Sequence, residues 1–135
     1  MTKRPSISGE PCRSPCPVAS ALDLIGDKWS LLVVRDLFYG SKTYGELQAS
    51  PEHIPTNILA DRLKRLEAAG LIAAEPYQER PVRYAYSLTE CGAGLKDVLL
   101  AIARWGNEYI PGTFKPKVAA ASGAKPRRPS KRVRG

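Results

Sequence analysis

The stretch IPTNILADRLKRLEAAGLI, from Ile54 to Ile72, decides how the rest of the chain is read. Ile58/Leu59, Leu63 and Leu66 recur near a period of 3.6, which gives a helix one apolar face. Thr56, Asn57, Ala60, Asp61, Lys64 and Arg65 fall on the other sides, and Gly70 suits a left-handed helix end. A short helix whose outward face can meet bases and phosphates fits the major groove. The same pattern describes an ordinary amphipathic surface helix, so the neighbouring sequence must decide.

Upstream, Thr43-Tyr44-Gly45-Glu46 matches a capping box and opens a short helix to about Ala49, followed by a turn at Ser50-Pro51-Glu52-His53. Two helices joined by a short turn, the second exposed and basic, make a helix-turn-helix. Downstream, Leu71–Glu75 reads as a short strand. Arg83–Leu88 reads as a clearer one, with Tyr84, Tyr86 and Leu88 alternating to one face. Pro76 to Val82 is the expected connecting loop. A hairpin after a helix-turn-helix is a wing, and Arg80 and Arg83 are placed to reach a phosphate or a minor groove.

Further out, Pro17 suits the first position of a helix ending at Gly26, and a second helix is expected from about Asp27 to Tyr39. Four successive apolar residues, Leu31 to Val34, mark that second helix as central to the core. Thr89 opens a last long helix, expected over Glu90–Tyr109, on which Leu95, Val98, Leu99, Ile102 and Trp105 recur at helical spacing. A stripe larger than the domain can cover usually marks an interface. Leu22 and Ile25 of the first helix, with Val98, Leu99, Ile102 and Trp105 of the last, form the candidate dimer surface; the alternative is packing within one domain. The fold class is thus α+β, mainly α: a winged helix-turn-helix with a two-stranded wing and terminal dimerisation helices.

The 135 residues suffice for one domain with a modest core. Residues 1–15 read as a flexible arm, 16–112 as the domain and 113–135 as a disordered basic tail. The net charge of +8 resides wholly in that tail: eight Lys or Arg fall within 115–135 without an acid. The other 13 bases are matched by 13 acids, so net charge does not argue that the body binds nucleic acid. No apolar run approaches a membrane span and no secretory signal is present, so a cytoplasmic, nucleoid-associated protein without a membrane partner is expected.

CPVASALDLIGDKWSLLVVRDLFYG, Cys16 to Gly40, resembles the opening of the HxlR family of winged helix-turn-helix regulators, a MarR-like group. The likeness is carried by Cys16-Pro17, Gly26-Asp27-Lys28-Trp29, Arg35, Tyr44-Gly45-Glu46-Leu47, Leu59, Arg62-Leu63, Leu66-Glu67, Tyr86, Leu88-Thr89 and Gly92, across about residues 16–106. It implies a homodimeric transcription regulator, probing an imperfect palindrome with two recognition helices about one DNA turn (roughly 34 Å) apart. Many relatives cap the recognition helix with Ser where this chain has Pro55, which leaves open which of Thr56 and Asn57 faces DNA.

The candidate DNA contacts are Lys42, Thr43 and Tyr44 at the start of the helix before the turn; Thr56, Asn57, Ala60, Arg62 and Lys64 on the recognition helix; and Arg80 and Arg83 on the wing. Asn57 could pair with adenine and Ala60 could touch a thymine methyl. Asp61 is expected to hold Arg65 at i+4. Arg62 either pairs internally with Glu46 or contacts phosphate. Cys16, near a helix N-terminus with Arg13 close by, is the candidate redox-sensing thiol, alone or with Cys12 or the Cys16 of a partner. The alternative is a small residue at a helix start. Cys91 reads as packed, and Trp29 and Trp105 as core and interface.

One His and three scattered Cys make no metal pattern, and no cofactor is expected. No nucleotide loop or catalytic set stands out, so an enzyme is not expected. The partners expected are double-stranded DNA, a second copy of the chain, and an oxidant or small-molecule signal. The leading function is a sequence-specific repressor responsive through Cys16. The alternative is an architectural protein that binds DNA largely without regard to sequence, through a winged helix and basic tail.

Overall fold

In the computed structural model, the residues described are Ile7 and 13–113. Cys12, most of the arm and the basic tail lie outside them. The elements are α1 (Pro17–Ile25), α2 (Ser30–Phe38), α3 (Tyr44–Gln48), α4 (Thr56–Ala69), β1 (Ile72–Glu79), β2 (Val82–Leu88), α5 (Glu90–Ala93) and α6 (Lys96–Tyr109). The chain divides into two units, one through Lys96 and one from Asp97. Among the described residues, no helix is long and apolar enough to cross a membrane.

The first unit is the winged helix. Its core is drawn from α2 (Val33, Val34), α3 (Leu47), the turn (Ile54), α4 (Leu59, Leu63, Leu66, Ala69) and the start of β1 (Leu71, Ile72), all buried. Burying each Leu or Ile of this set contributes roughly 1.5–3 kcal/mol. The apolar stripe of α4 therefore fixes which face of that helix is left outward. Gly70, at φ 88°, closes α4 in the left-handed conformation. The Leu71 amide then donates to the Leu66 carbonyl at 2.9 Å, a bond that ends the helix and aims the chain into β1.

β1 and β2 pair antiparallel from Ile72↔Leu88 to Glu79↔Val82. The segment expected to be a loop is thus mostly strand, leaving only Arg80-Pro81 as the corner. Pro76 can sit in such a sheet because β1 is an edge strand. The register shifts between Pro76 and Gln78, making Tyr77 the extra residue of a bulge. The sheet is tied to the helix-turn-helix at its base: Thr43 bridges Ala85, and the Tyr86 amide donates to the Lys42 carbonyl at 2.7 Å.

Two other boundaries differ from expectation. Helix α2 starts at Ser30, after Trp29 at its N-cap, and Asp27 Oδ2 takes up the amides of Trp29 and Ser30, both at 3.0 Å. The expected long terminal helix is broken into α5 and α6. Thr89 caps α5, accepting from the Gly92 amide, and donates its own hydroxyl to the Gly70 carbonyl at 2.5 Å. Gly92 lies so close to the chain that a Cβ there would come within 2.0 Å of the Leu71 carbonyl oxygen.

In the second unit, α6 carries Val98, Ile102, Trp105 and Tyr109 exposed along one face, with Leu99 half-buried. The Trp105 and Tyr109 rings lie 5.4 Å apart and tilted, an arrangement that aromatic pairs favour.

Candidate nucleic-acid interface

The outward face of α4 presents Thr56, Asn57, Ala60, Asp61, Lys64 and Arg65, all exposed, opposite the buried leucines. Pro55 supplies no side-chain cap to the helix. The first turn is held from outside instead: the Tyr44 hydroxyl donates to the Thr56 carbonyl at 2.8 Å, linking α3 to the first residue of α4. Tyr44 is thereby a brace for the recognition helix as well as a candidate contact.

The start of α3 is a complete capping box. Thr43 Oγ1 accepts from the Glu46 amide at 3.2 Å, and Glu46 Oε1 accepts from the amides of Thr43 at 3.1 Å and Lys42 at 2.6 Å. Those amide bonds hold the Glu46 carboxyl below its usual range. Glu46 is therefore committed to the backbone.

That commitment corrects the reading of Arg62. Its partners are Asp27, whose Oδ2 accepts from Arg62 Nε at 2.9 Å, and its neighbour Asp61. The Arg62 side chain is only 16% exposed, and its guanidinium is held by these two carboxylates. Asp61 faces Arg62 first; Arg65 at i+4 lies at 3.9 Å. By contrast, among the described residues no ion pair engages Lys42, Lys64, Arg80 or Arg83.

A second ionic knot holds the turn. The Arg35 guanidinium donates to both Glu52 oxygens at 2.9 and 2.7 Å, to Asp36 Oδ1 at 3.0 and 2.8 Å, and to Ser50 Oγ at 3.1 Å. Hydrogen bonds from Arg35 pull the Glu52 carboxyl down to about 2, and those same bonds push Arg35 further up. Within the turn, His53 takes a left-handed φ of 58° while the next residue, Ile54, is buried. These contacts fix the angle at which α4 leaves the turn.

On the wing, Arg80 and Arg83 are exposed, and Gln78 Nε2 donates to the Pro81 carbonyl at 3.0 Å, bracing the corner. Between the wing and the start of α3 runs an open depression of about 290 Å³. Tyr44, Tyr77, Tyr84, Tyr86, Val82 and Arg83 are among its lining residues. The aromatic character of this wing was half-visible in the alternation of Tyr84 and Tyr86. Tyr77 and Val82, about half exposed, were missed because the bulge that turns Tyr77 outward has no sequence signature beyond Pro76.

Cys16 is exposed at the N-cap of α1, its amide donating to Ser14 Oγ at 3.1 Å. Arg13, expected to assist the thiol, pairs with Asp23 at 2.8 Å instead. Cys91 is half-buried in α5. Leu22 is exposed, as a dimer face requires, and so is Val18 one turn earlier. Ile25, expected beside Leu22, is buried in the core and leaves the candidate dimer surface. Tyr109, at the end of the α6 stripe, joins it.

The helix-turn-helix and the bulged two-stranded wing that follows it define a winged helix-turn-helix. The model of the HxlR-like helix-turn-helix family matches residues 24–114, and the chain belongs to that family. The chain is 38% identical over 101 residues to Rv3095 of Mycobacterium tuberculosis, an "uncharacterized HTH-type transcriptional regulator". That match takes in 75% of this chain and 63% of the length of the relative. Solved structures share the fold, among them two regulators. The reduced form of the transcriptional regulator YodB from B. subtilis is 30% identical, with a TM-score of 0.61, over 75% of this chain and 100% of that one. The redox regulator HypR in its oxidized form is 35% identical, with a TM-score of 0.60, over 69% and 96% respectively.

Proposed function

We propose that the chain is a homodimeric, sequence-specific repressor that binds an imperfect palindrome in the cytoplasm, at the nucleoid. The observation that carries this reading is the outward face of α4. Thr56, Asn57, Ala60 and Lys64 stand free there, while Arg62, the cation that faces inward, is consumed within the fold. Thr56, Asn57 and Ala60 read base edges in the major groove. Lys42, Thr43, Tyr44 and Lys64 hold phosphates, and Arg80 and Arg83 follow the backbone into the minor groove. Two copies pair through the exposed stripe of α6, and the exposed Leu22 of α1 is a further candidate contact.

The Cys16 thiol is the proposed input. Two thiols, Cys16 with Cys12 or with a second Cys16, lose two protons and two electrons to a thiol oxidant and form a disulfide, and DNA is released. The exposure of Cys16 and the likeness to a redox regulator support this reading.

The test is binding of the full chain to its own upstream DNA against random DNA of equal length, with and without a mild thiol oxidant, for the native chain and Cys16→Ser. A preference of about 10³ or more for upstream DNA, lost on oxidation and kept in Cys16→Ser, is expected. Specific binding indifferent to oxidant removes the redox role. Equal binding to both DNAs, with steep salt dependence, replaces the repressor with an architectural protein.

A further inference from the structure

We propose that Asp27 is a positioning residue for DNA reading: its carboxylate, at the corner between α1 and α2, sets the rotation of α4 through Arg62. This rests on the reading of α4 as the helix that meets DNA. Asp27 follows α1 directly after Gly26, so its position is set by where that helix ends. Its two oxygens collect four hydrogen bonds. The Trp29 and Ser30 amides donate at 3.0 Å each, the Ser30 hydroxyl at 2.6 Å and Arg62 Nε at 2.9 Å. Three of these bind it to the start of α2, whose Val33 and Val34 are wholly buried, so the anchor rests on a helix set into the core.

The fourth crosses 35 residues of sequence to the middle of α4, and both side chains are largely covered, at 24% and 16% exposure. Arg62 lies one helical turn beyond Asn57 and Ile58. Its Nε is directed to Asp27, while a terminal nitrogen holds Asp61 on the outward side. The leucines of α4 fix its depth in the core but tolerate small rotations about its axis, since apolar contact is not directional. A charge-assisted bond from one side of the helix to a fixed carboxylate is directional. It is what holds Thr56, Asn57 and Ala60 at one angle to the groove.

The test compares Asp27→Asn, Arg62→Lys and the double variant, on the upstream duplex and on random duplex of equal length. Ser30→Ala serves as a control: it removes one bond to Asp27 and loosens the α2 cap but leaves the Asp27–Arg62 pair. Each single variant is expected to lower the preference for upstream DNA by about tenfold, the size of one lost base contact. The double variant should lose no more than either single one, and Ser30→Ala, even if it melts earlier, should keep the preference.

Additive losses, or a preference that falls with melting temperature in Ser30→Ala as well, would overturn the proposal. If Arg62 instead served as a phosphate contact, Asp27→Asn would free it and leave binding equal or tighter. Arg62→Met would then lower the salt slope by about one. A native chain with no preference for any DNA would bring down the repressor reading and this proposal together. A native preference unchanged in Asp27→Asn brings down this proposal alone.

Discussion

Arg62 and Lys64 stand two positions apart on one helix and have opposite fates. Periodicity could say that both flank the apolar stripe; it could not say that Arg62 meets a carboxylate 35 residues away. One half of the answer was nevertheless legible. The capping box read at Thr43–Glu46 already assigned the Glu46 carboxylate to backbone amides, which left it unable to serve Arg62. Gly92 and His53 make two further tests at this scale. Gly92→Ala would drive a methyl into the Leu71 carbonyl, 2.0 Å away, where backbone must yield. A loss of about 1–3 kcal/mol is expected, read in thermal unfolding as roughly 4–8 °C for each kcal/mol. His53 sits in the left-handed region, which costs a residue with a Cβ roughly 1–2 kcal/mol. His53→Gly is expected to be neutral to stabilising by up to about 1 kcal/mol, the added chain entropy of Gly offsetting part of the relief. His53→Val should destabilise in the same melts.

Elements were recovered in proportion to how local their signals are. Helix α4 runs Thr56–Ala69 and ends at Gly70, where the sequence places its end, because an apolar stripe and a terminal Gly mark it from within. The wing was read short because Pro76 looks like a loop residue, whereas a sheet of two strands has edges on which Pro costs little. The terminal helix was read as continuous because nothing in Glu90–Lys96 forbids a helix; the break comes from packing of Gly92 on Leu71. The acid limb of stability belongs at this scale, since it concerns how α2 is joined to its neighbours. Burial would raise the Asp27 carboxyl, but bonds from the Ser30 hydroxyl, Arg62 and the Trp29 and Ser30 amides outweigh it and hold the group well below its ordinary range. Glu52 is held at about 2 by Arg35. Carboxyls depressed by folding contribute stability that is present above their unfolded values near 4 and lost as pH falls toward the folded ones. Melting temperature should therefore decline from about pH 4.5 down to about 2. Asp27→Asn and Glu52→Gln should each flatten that decline while lowering the plateau above it.

At the scale of the whole molecule, the first unit carries the contacts proposed for DNA, and α6 carries an exposed apolar stripe on which Trp105 and Tyr109 pair. Trp105→Glu is expected to shift sedimentation from dimer toward monomer. On the proposed reading as a dimeric repressor, it should also weaken binding to a palindromic site by about 10² or more, because two linked half-sites bind far more tightly than one. Binding to a single half-site should change little. If the variant stays dimeric, the second copy docks elsewhere. The first unit also has a built-in limit on how it can diversify. Its sheet is fastened at one end, where Thr43 bridges Ala85 and Lys42 accepts from Tyr86, and is kinked midway at Tyr77. Residues added or lost below the kink would re-register every tyrosine on the wing and pull on the start of α3. The Arg80-Pro81 corner, beyond both the kink and the fastening, can lengthen without shifting either. An insertion at that corner would therefore lengthen the hairpin and leave the outward face of α4 as it is.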